Sequence, residues 1–164
     1  CFFSNESYNN TEILLLNSTE KALRISSDFN IEYRPEKDIT KIHLDKKEYF
    51  SYFEIDLEIS ENDEVKNLGF PSKKVKEIII PHGAKLNIKQ IYEQKGHISK
   101  IIPNFSSKSL DVNIKNQEAI ITDYTSQIGY SGGPLLKNNK VIGLMSMLIP
   151  ENNGLYSKKS VAIK

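Results

Sequence analysis

Short apolar runs alternate with polar, turn-forming segments along the whole chain. Within several runs, apolar and polar residues alternate one by one, which is typical of a β-strand with one face in a core. Few segments have the period of an amphipathic helix. We predict strands at residues 12–17, 29–33, 42–44, 49–59, 75–80, 88–92, 97–102, 110–114, 118–122, 135–136, 141–147 and 160–163. Short strands at this regular spacing predict an all-β barrel protein.

The polar segments between these runs predict where the chain turns. Residues 42–44 and 49–59 are expected to form a hairpin, and residues 115–116 a turn between two strands. Residues 60–67 are highly charged and are predicted to be a linker, followed by a turn at residues 68–71. We therefore expect the chain to pass there from one half of the molecule to the other.

The most distinctive stretch is Gly129-Tyr130-Ser131-Gly132-Gly133-Pro134, which fits the pattern G-x-S-G-G-P. It follows a predicted strand and precedes a predicted hairpin with a polar turn at residues 137–140. In pattern and flanks it resembles the nucleophile loop of the chymotrypsin-like (trypsin-like) serine peptidases. The alternative is a glycine-rich turn beside a strand.

The resemblance implies a role for each residue type in this loop. A tight turn aims Ser131 Oγ at a carbonyl carbon, while the N–H groups of Gly129 and Ser131 point at the oxygen that becomes negative. Glycine permits that backbone because it tolerates positive φ and close approach. The implied fold is two six-stranded antiparallel β-barrels packed together. We expect one domain over residues 1–164, with barrels at about 1–65 and about 66–164.

The rest of the catalytic triad matches the family only in part. Residues 54–59 resemble the family's D-L-A-[LIV] strand, which would make Asp56 the carboxylate that orients the base. The alternative is that Asp56 is a polar residue on a strand edge. The family's L-L-T-x-x-H strand aligns with Leu14-Leu15-Leu16, which puts Thr19 where the histidine base is expected. Thr19 cannot accept a proton near neutral pH.

A missing base has a large consequence, because a serine hydroxyl needs a neighbouring base to be a good nucleophile. In subtilisin, loss of the histidine alone costs about a millionfold in kcat. His43 is a candidate for a displaced base, and Lys21 is a candidate of the Ser-Lys type if it is buried. His82 and His97 are expected to be surface or structural residues.

The resemblance also implies where a substrate side chain would bind. The pocket base is expected six residues before the serine, at Thr125, and the pocket wall at Met145, Ser146 and Met147. Thr125 is not acidic, so an uncharged substrate side chain is expected rather than Arg or Lys. The alternative is that these residues belong only to the core. Tyr130 replaces the aspartate that pairs with a freed N-terminus in digestive members, so no such activation is expected.

Composition narrows the possible partners and compartment. The chain has 164 residues and a net charge of +1, which suits one domain and gives no electrostatic reason to expect a nucleic acid or a membrane. Cys1 is its one cysteine, so no intrachain disulfide can form, as in short bacterial-type or intracellular members. No apolar run reaches membrane-spanning length. We expect a soluble protein, cytoplasmic rather than secreted, and part of a larger polypeptide.

Three functions remain open from the sequence. The first is a serine endopeptidase that acts on a peptide or protein substrate through Ser131, with Asp56 as orienting carboxylate. The second is a pseudo-peptidase that binds peptides by strand addition, and the third is a structural domain of a larger chain. No cluster of His, Cys or carboxylate residues has the spacing of metal ligands, and no cofactor is expected.

Overall fold

A computed structural model describes residues 13–16, 22–25, 29–34, 37, 39–44, 52–71, 75–79, 85–89, 91–108, 113–124, 126–127, 129–150 and 156–164. The regular elements of this part of the chain are β-strands. They are β1 (Ile13–Leu16), β2 (Ala22–Ile25), β3 (Phe29–Arg34), β4 (Ile39–Leu44), β5 (Glu64–Gly69), β6 (Val75–Ile79), β7 (Lys85–Lys89), β8 (Tyr92–Lys108), β9 (Asn113–Thr122), β10 (Pro134–Lys137), β11 (Lys140–Pro150) and β12 (Tyr156–Ile163).

Six of these strands close into a barrel in the order β10-β11-β12-β9-β8-β5. Every neighbouring pair in it is antiparallel. The barrel closes where β10 pairs with β5, with Leu135 opposite Asn67 and Leu136 opposite Lys66. Closure satisfies the backbone of both strands, which would otherwise be exposed sheet edges.

The core follows from the alternation of side chains along the strands. One cluster of buried residues joins all six barrel strands and comprises Val65, Ile98, Ile120, Leu135, Ile142, Met145 and Ala162. Residues on the opposite faces of β9 and β12 form a second cluster, which comprises Ile114, Ala119, Ile121, Val161 and Ile163. Because both faces of these two strands are buried, residues 119–121 and 161–163 are continuously apolar.

The other strands form three antiparallel hairpins, which are β1 with β2, β3 with β4, and β6 with β7. The all-β prediction is therefore confirmed for the described residues. They contain one closed six-stranded barrel, and the prediction of two packed barrels is not confirmed, since the described part of residues 1–65 forms the hairpins β1–β2 and β3–β4 and the start of β5.

The predicted hairpin that follows the serine loop is confirmed. Strands β10 and β11 pair with Lys137 opposite Lys140, and the two residues between them have positive φ angles, 50° at Asn138 and 62° at Asn139. Asparagine tolerates this left-handed conformation better than most residues. The short turn therefore has the residue types that its geometry requires.

The linker and turn predicted at residues 60–71 are wrong in part, because residues 64–69 form strand β5. Its charged residues Glu64 and Lys66 alternate with Val65, Asn67 and Gly69, which are buried. The high charge therefore marks the outer face of a barrel strand.

The strand predicted at 97–102 is confirmed and is part of β8, a strand of 17 residues. The strand predicted at 88–92 is wrong in its bounds, because β7 ends at Lys89 and β8 begins at Tyr92. The turn predicted at residues 115–116 lies inside β9, where Asn116 has a φ of 49° and the pairing with β8 shifts register. A local β-bulge accommodates residues 115–116, so the strand continues through them.

The hairpin predicted between residues 42–44 and 49–59 is also wrong for the described residues. Strand β4 pairs with β3, and residues 52–60 form an extended segment with one isolated parallel bridge, from Ile55 to Val141.

Candidate functional site

Ser131 lies at the tip of a tight turn. The N–H of Gly133 donates to the carbonyl oxygen of Tyr130 at 3.0 Å, which closes a four-residue turn around Ser131 and Gly132. Gly132 has a φ of 79°, the left-handed value that the third position of a type II turn requires. The turn leaves Ser131 exposed to solvent.

The end of strand β5 supports this turn from behind. The N–H of Phe70 donates to the carbonyl oxygen of Gly129 at 2.8 Å. A Cβ atom at Gly129 would overlap the carbonyl oxygen of Phe70, and one at Gly133 would overlap that of Leu68. Both glycines are therefore required by close backbone approach, and residues 68–71 are a functional support that the sequence did not reveal.

Strand β11 holds the turn from the other side. The N–H of Gly132 donates to the carbonyl oxygen of Met145 at 2.7 Å, and the N–H of Met145 donates to that of Gly133 at 2.9 Å. Ser131 Oγ donates to the carbonyl oxygen of Ser146 at 3.3 Å. The serine hydroxyl is thus held by a neutral acceptor on the neighbouring strand.

Tyr130 fastens the loop to the barrel. Its side chain is 5% exposed, and its ring lies so close to Gly69 that a Cβ there would overlap the ring. Burial, assisted by the nearby Tyr92, raises the pKa of the Tyr130 hydroxyl. Tyr130 is therefore a neutral anchor for the loop.

The N–H groups predicted to form an oxyanion hole flank Tyr130. Within the described residues, neither Gly129 N–H nor Ser131 N–H donates to a backbone carbonyl. Two such donors beside a serine hydroxyl can stabilise the negative oxygen that forms when the hydroxyl attacks a carbonyl.

Asp56 is held beside the beginning of strand β11. Its N–H donates to the carbonyl oxygen of Val141 at 2.9 Å, and its Oδ1 accepts the N–H of Glu58 at 2.9 Å. Among the described residues, no hydrogen bond or ion pair joins Asp56 to Ser131. The role of Asp56 as the carboxylate that orients a base stays a prediction.

No hydrogen bond joins Ser131 to either histidine of the described residues. His43 is on β4 opposite Asn30, and its Nε2 is 3.6 Å from Glu32. His97 pairs with Glu64 at the start of β5, whereas the serine loop contacts the far end of that strand. Four residues considered as part of the site, Thr19, Lys21, His82 and Thr125, lie outside the described residues.

His97 instead forms a local pair with Asp123. The N–H of His97 donates to Asp123 Oδ1 at 2.8 Å, and His97 Nδ1 is 3.1 Å from Asp123 Oδ2. Chiefly the backbone N–H of His97 lowers the pKa of the Asp123 carboxyl. This pair joins β8 to the chain that leaves β9.

The residues expected to form the pocket wall have different environments. The Met145 side chain is 3% exposed and packs in the barrel core. The Ser146 carbonyl accepts from Ser131, and Met147 pairs with Val161 on β12.

A buried polar cluster joins β5, β12 and the chain that follows β9, and the sequence analysis did not predict it. The Ser126 N–H donates to Ser160 Oγ at 2.7 Å, and Ser160 Oγ donates to the carbonyl oxygen of Tyr124 at 3.0 Å. Asn67, which is fully buried, places Nδ2 at 3.5 Å from Ser126 Oγ. The signal in the sequence was an asparagine at an inward position of an alternating strand.

The described residues contain no group of three or more His, Cys, Asp or Glu side chains that could hold a metal ion. In the same part of the chain, no helix has the length and apolar character needed to cross a membrane.

The closed barrel and the Ser131 loop can now be compared with known proteins. No protein-family model matches the sequence, and no curated protein matches it. Among solved structures, the apo protease domain of MamO from Magnetospirillum magneticum is similar, with a TM-score of 0.59 and 13% identity over 93% of this chain and 69% of that one. An inactive serine-to-alanine form of Rv3671c from M. tuberculosis H37Rv has a TM-score of 0.56 and 13% identity over 83% and 60%.

At this level of identity the comparisons show the fold. The resemblance first read from the Ser131 loop is therefore confirmed as a resemblance in structure, and the chain has a peptidase-like fold.

Proposed function

We propose that this chain is a serine-peptidase-type domain in which Ser131 is the nucleophile toward a peptide or protein substrate. The observation that carries the proposal is the turn from Tyr130 to Gly133, which exposes Ser131 and is fixed by backbone hydrogen bonds on both sides. A rigid support of this kind is what a nucleophile needs, since misplacement by about 1 Å can cost a hundredfold in rate.

The chemistry follows the usual acyl transfer. Ser131 Oγ attacks the carbonyl carbon of the substrate, and the N–H groups of Gly129 and Ser131 stabilise the resulting oxyanion. The Oγ proton passes to a base and then to the leaving amine, which leaves an acyl-serine that water hydrolyses. In this proposal the first barrel, predicted from residues 1–65, supplies the other wall of the cleft and the base, for which His43 and Lys21 are the candidates.

A second candidate is a peptide-binding module without catalysis. It is favoured by the bond from Ser131 Oγ to the carbonyl oxygen of Ser146, because a carbonyl cannot take the proton. Catalysis that rests on the oxyanion hole and binding alone accelerates a reaction only about a thousandfold over water.

Labelling with a fluorophosphonate distinguishes the two candidates. The purified chain is incubated with the probe, and its mass is measured by mass spectrometry. Ser131→Ala is treated in the same way, as is the control Ser60→Ala, which removes another exposed serine hydroxyl. We expect one adduct per chain in the wild type and in Ser60→Ala, and none in Ser131→Ala. Circular dichroism checks that each variant is folded.

Absence of an adduct on the folded wild type would refute the catalytic proposal and leave the binding module. If the adduct forms, His43→Ala and Lys21→Ala identify the base, because loss of the base slows labelling and leaves the fold intact.

A further inference from the structure

Residues 52–57 form an extended segment whose apolar side chains face solvent. The described residues expose seven large apolar side chains, and four of them lie in this segment: Tyr52 (86% exposed), Phe53 (47%), Ile55 (73%) and Leu57 (66%). Exposed apolar residues in a cluster mark an interaction surface more often than the same residues scattered singly.

One edge of this segment is bonded to the barrel, and no backbone group of the described residues is bonded to the opposite edge. The carbonyl oxygen of Glu54 accepts the N–H of Val141 at 2.7 Å, and the N–H of Asp56 donates to Val141. Backbone groups of successive residues point to alternate sides of an extended chain, so those of Ile55 point away from the barrel. Within the described residues, Phe53, Ile55 and Leu57 make no backbone hydrogen bond.

The same stretch of chain is strongly acidic. Residues 54–64 contain six carboxylates and no lysine or arginine, in a chain whose net charge is +1. Among the described residues, two of the six have a lysine partner, Glu54 with Lys140 at 2.9 Å and Asp63 with Lys137 at 2.7 Å. This stretch therefore has an excess of negative charge, and at the edge itself the carboxylate of Asp56 has no ion pair within the described residues.

Apolar and acidic residues alternate, so they lie on opposite faces of the extended segment. Phe53, Ile55 and Leu57 share one face, whereas Glu54 and Asp56 share the other. We propose that this edge binds an extended basic segment of a partner protein, in which Lys or Arg alternates with apolar residues. The added strand would form hydrogen bonds with the backbone of Ile55. Its apolar residues would lie on the same face as Phe53, Ile55 and Leu57, and its Lys or Arg residues on the same face as Glu54 and Asp56.

Charge argues against a second copy of this chain as the occupant. Antiparallel pairing of two copies centred on Ile55 would place Glu54 opposite Asp56. Like charges directly opposite each other destabilise strand pairing. A basic strand reverses the sign of that interaction, and its affinity should fall with added salt.

The test uses a blocked, fluorescently labelled heptapeptide in which lysine alternates with valine, and a matched peptide in which glutamate replaces lysine. Fluorescence anisotropy of each peptide is followed as the full chain is added. We expect saturable binding of the lysine peptide in the micromolar range, at least tenfold tighter than that of the glutamate peptide. Raising sodium chloride from 50 to 500 mM should weaken the binding severalfold.

Two variants of one residue locate the site. Ile55→Asn removes apolar contact and should weaken binding about tenfold, and Ile55→Pro removes the outward N–H and should abolish it. The control is Ile91→Asn, which makes the same change at a residue of similar exposure (64%) and should change binding less than twofold.

Failure of the lysine peptide to bind, or equal binding to wild type and both Ile55 variants, would overturn the proposal. So would sedimentation of the free wild-type chain as a dimer that Ile55→Pro dissociates, since the occupant would then be a second copy. The site is independent of Ser131, and Ser131→Ala should bind the peptide like the wild type. The result can therefore be told apart from that of the fluorophosphonate experiment.

Discussion

Two neighbouring glycines of the serine loop are required for different physical reasons. Gly132 has a φ of 79° and open space where a Cβ would be, so its constraint is conformational. Gly133 has no positive φ to satisfy, but a Cβ there would overlap the carbonyl oxygen of Leu68. The motif therefore needs glycine at position 132 for the conformation of the turn and at position 133 for close contact with the backbone of β5.

This difference predicts unequal costs for two alanine substitutions. Gly133→Ala should lower the free energy of unfolding by about 1–3 kcal/mol, because the backbone of β5 must move. Gly132→Ala should cost about 1 kcal/mol, the strain of a positive φ in alanine. Urea unfolding measures both. A larger loss for Gly132→Ala than for Gly133→Ala would contradict the overlap.

Asp123 predicts how stability depends on pH. Its lowered carboxyl pKa means that the folded state holds the ionised form better than the unfolded chain does. That contribution is present above the unfolded pKa of about 3.9 and is lost as pH falls through the folded pKa. Asp123→Asn should therefore cost about 1 kcal/mol at most at pH 7, since the carboxylate is 46% exposed.

The comparison is made by urea unfolding of wild type and Asp123→Asn from pH 7 to pH 3. The difference between the two free energies of unfolding should shrink below about pH 4 as the wild-type carboxyl takes up a proton. A difference that stays constant over this range would show that the charge of Asp123 does not contribute.

At the scale of elements, the hairpin of β10 and β11 depends on a turn with two left-handed residues. Asn139 has a φ of 62°, which glycine adopts freely and valine does not. Asn139→Gly should leave the free energy of unfolding within about 0.5 kcal/mol of wild type, whereas Asn139→Val should lower it by about 1–2 kcal/mol. Thermal and urea unfolding of the two variants provide the measurement, and equal effects would rule out a strained turn.

Elements whose local pattern carries their pairing were predictable from the sequence. The hairpin at residues 134–150 combines two apolar runs with a two-asparagine turn, and residues 119–121 and 161–163 are continuously apolar because both faces of their strands are buried. These features depend on neighbours in sequence, so a pattern of residues is enough to find them.

Elements that depend on distant partners were missed. The outer charges of β5 read as a linker because its inward residues, Asn67 and Gly69 among them, are not apolar enough to indicate a strand. The strand predicted at residues 97–102 begins too late, because β8 continues back through Gly96, where the ring of Tyr124 occupies the space of a side chain. Both assignments depend on contacts that a local pattern does not contain.

The candidate site divides in the same way. Ser131 and Gly129 were found because their motif is local, and the turn around them has the expected form. The position of Asp56 depends on pairing with β11, and a short D-L pattern does not specify that pairing. The supports of the loop, Leu68 and Phe70, act through backbone atoms and leave no mark in residue type.

At the scale of the whole molecule, the barrel core should respond as one unit. Ile98 is fully buried in a cluster that joins all six barrel strands. Ile98→Ala should lower the free energy of unfolding by about 2–5 kcal/mol. Ile91→Ala, at a residue that is 64% exposed, should change it by no more than about 0.5 kcal/mol. Urea unfolding followed by circular dichroism tests the pair, and similar costs for both would contradict the closed core.

The contacts of the serine loop with β5 and β11 also determine which residues of the G-x-S-G-G-P motif would be retained during evolution if catalysis were lost. Gly129 and Gly133 contact β5, which closes the barrel, so replacing them would damage folding whether or not the protein cleaves anything. Ser131 is different, because its hydroxyl makes one bond within the described residues, to the carbonyl oxygen of Ser146. A descendant that had lost its general base would still be under selection to keep the glycines, while its serine would be free to drift. In this fold, the serine is therefore the better record of past or present chemistry.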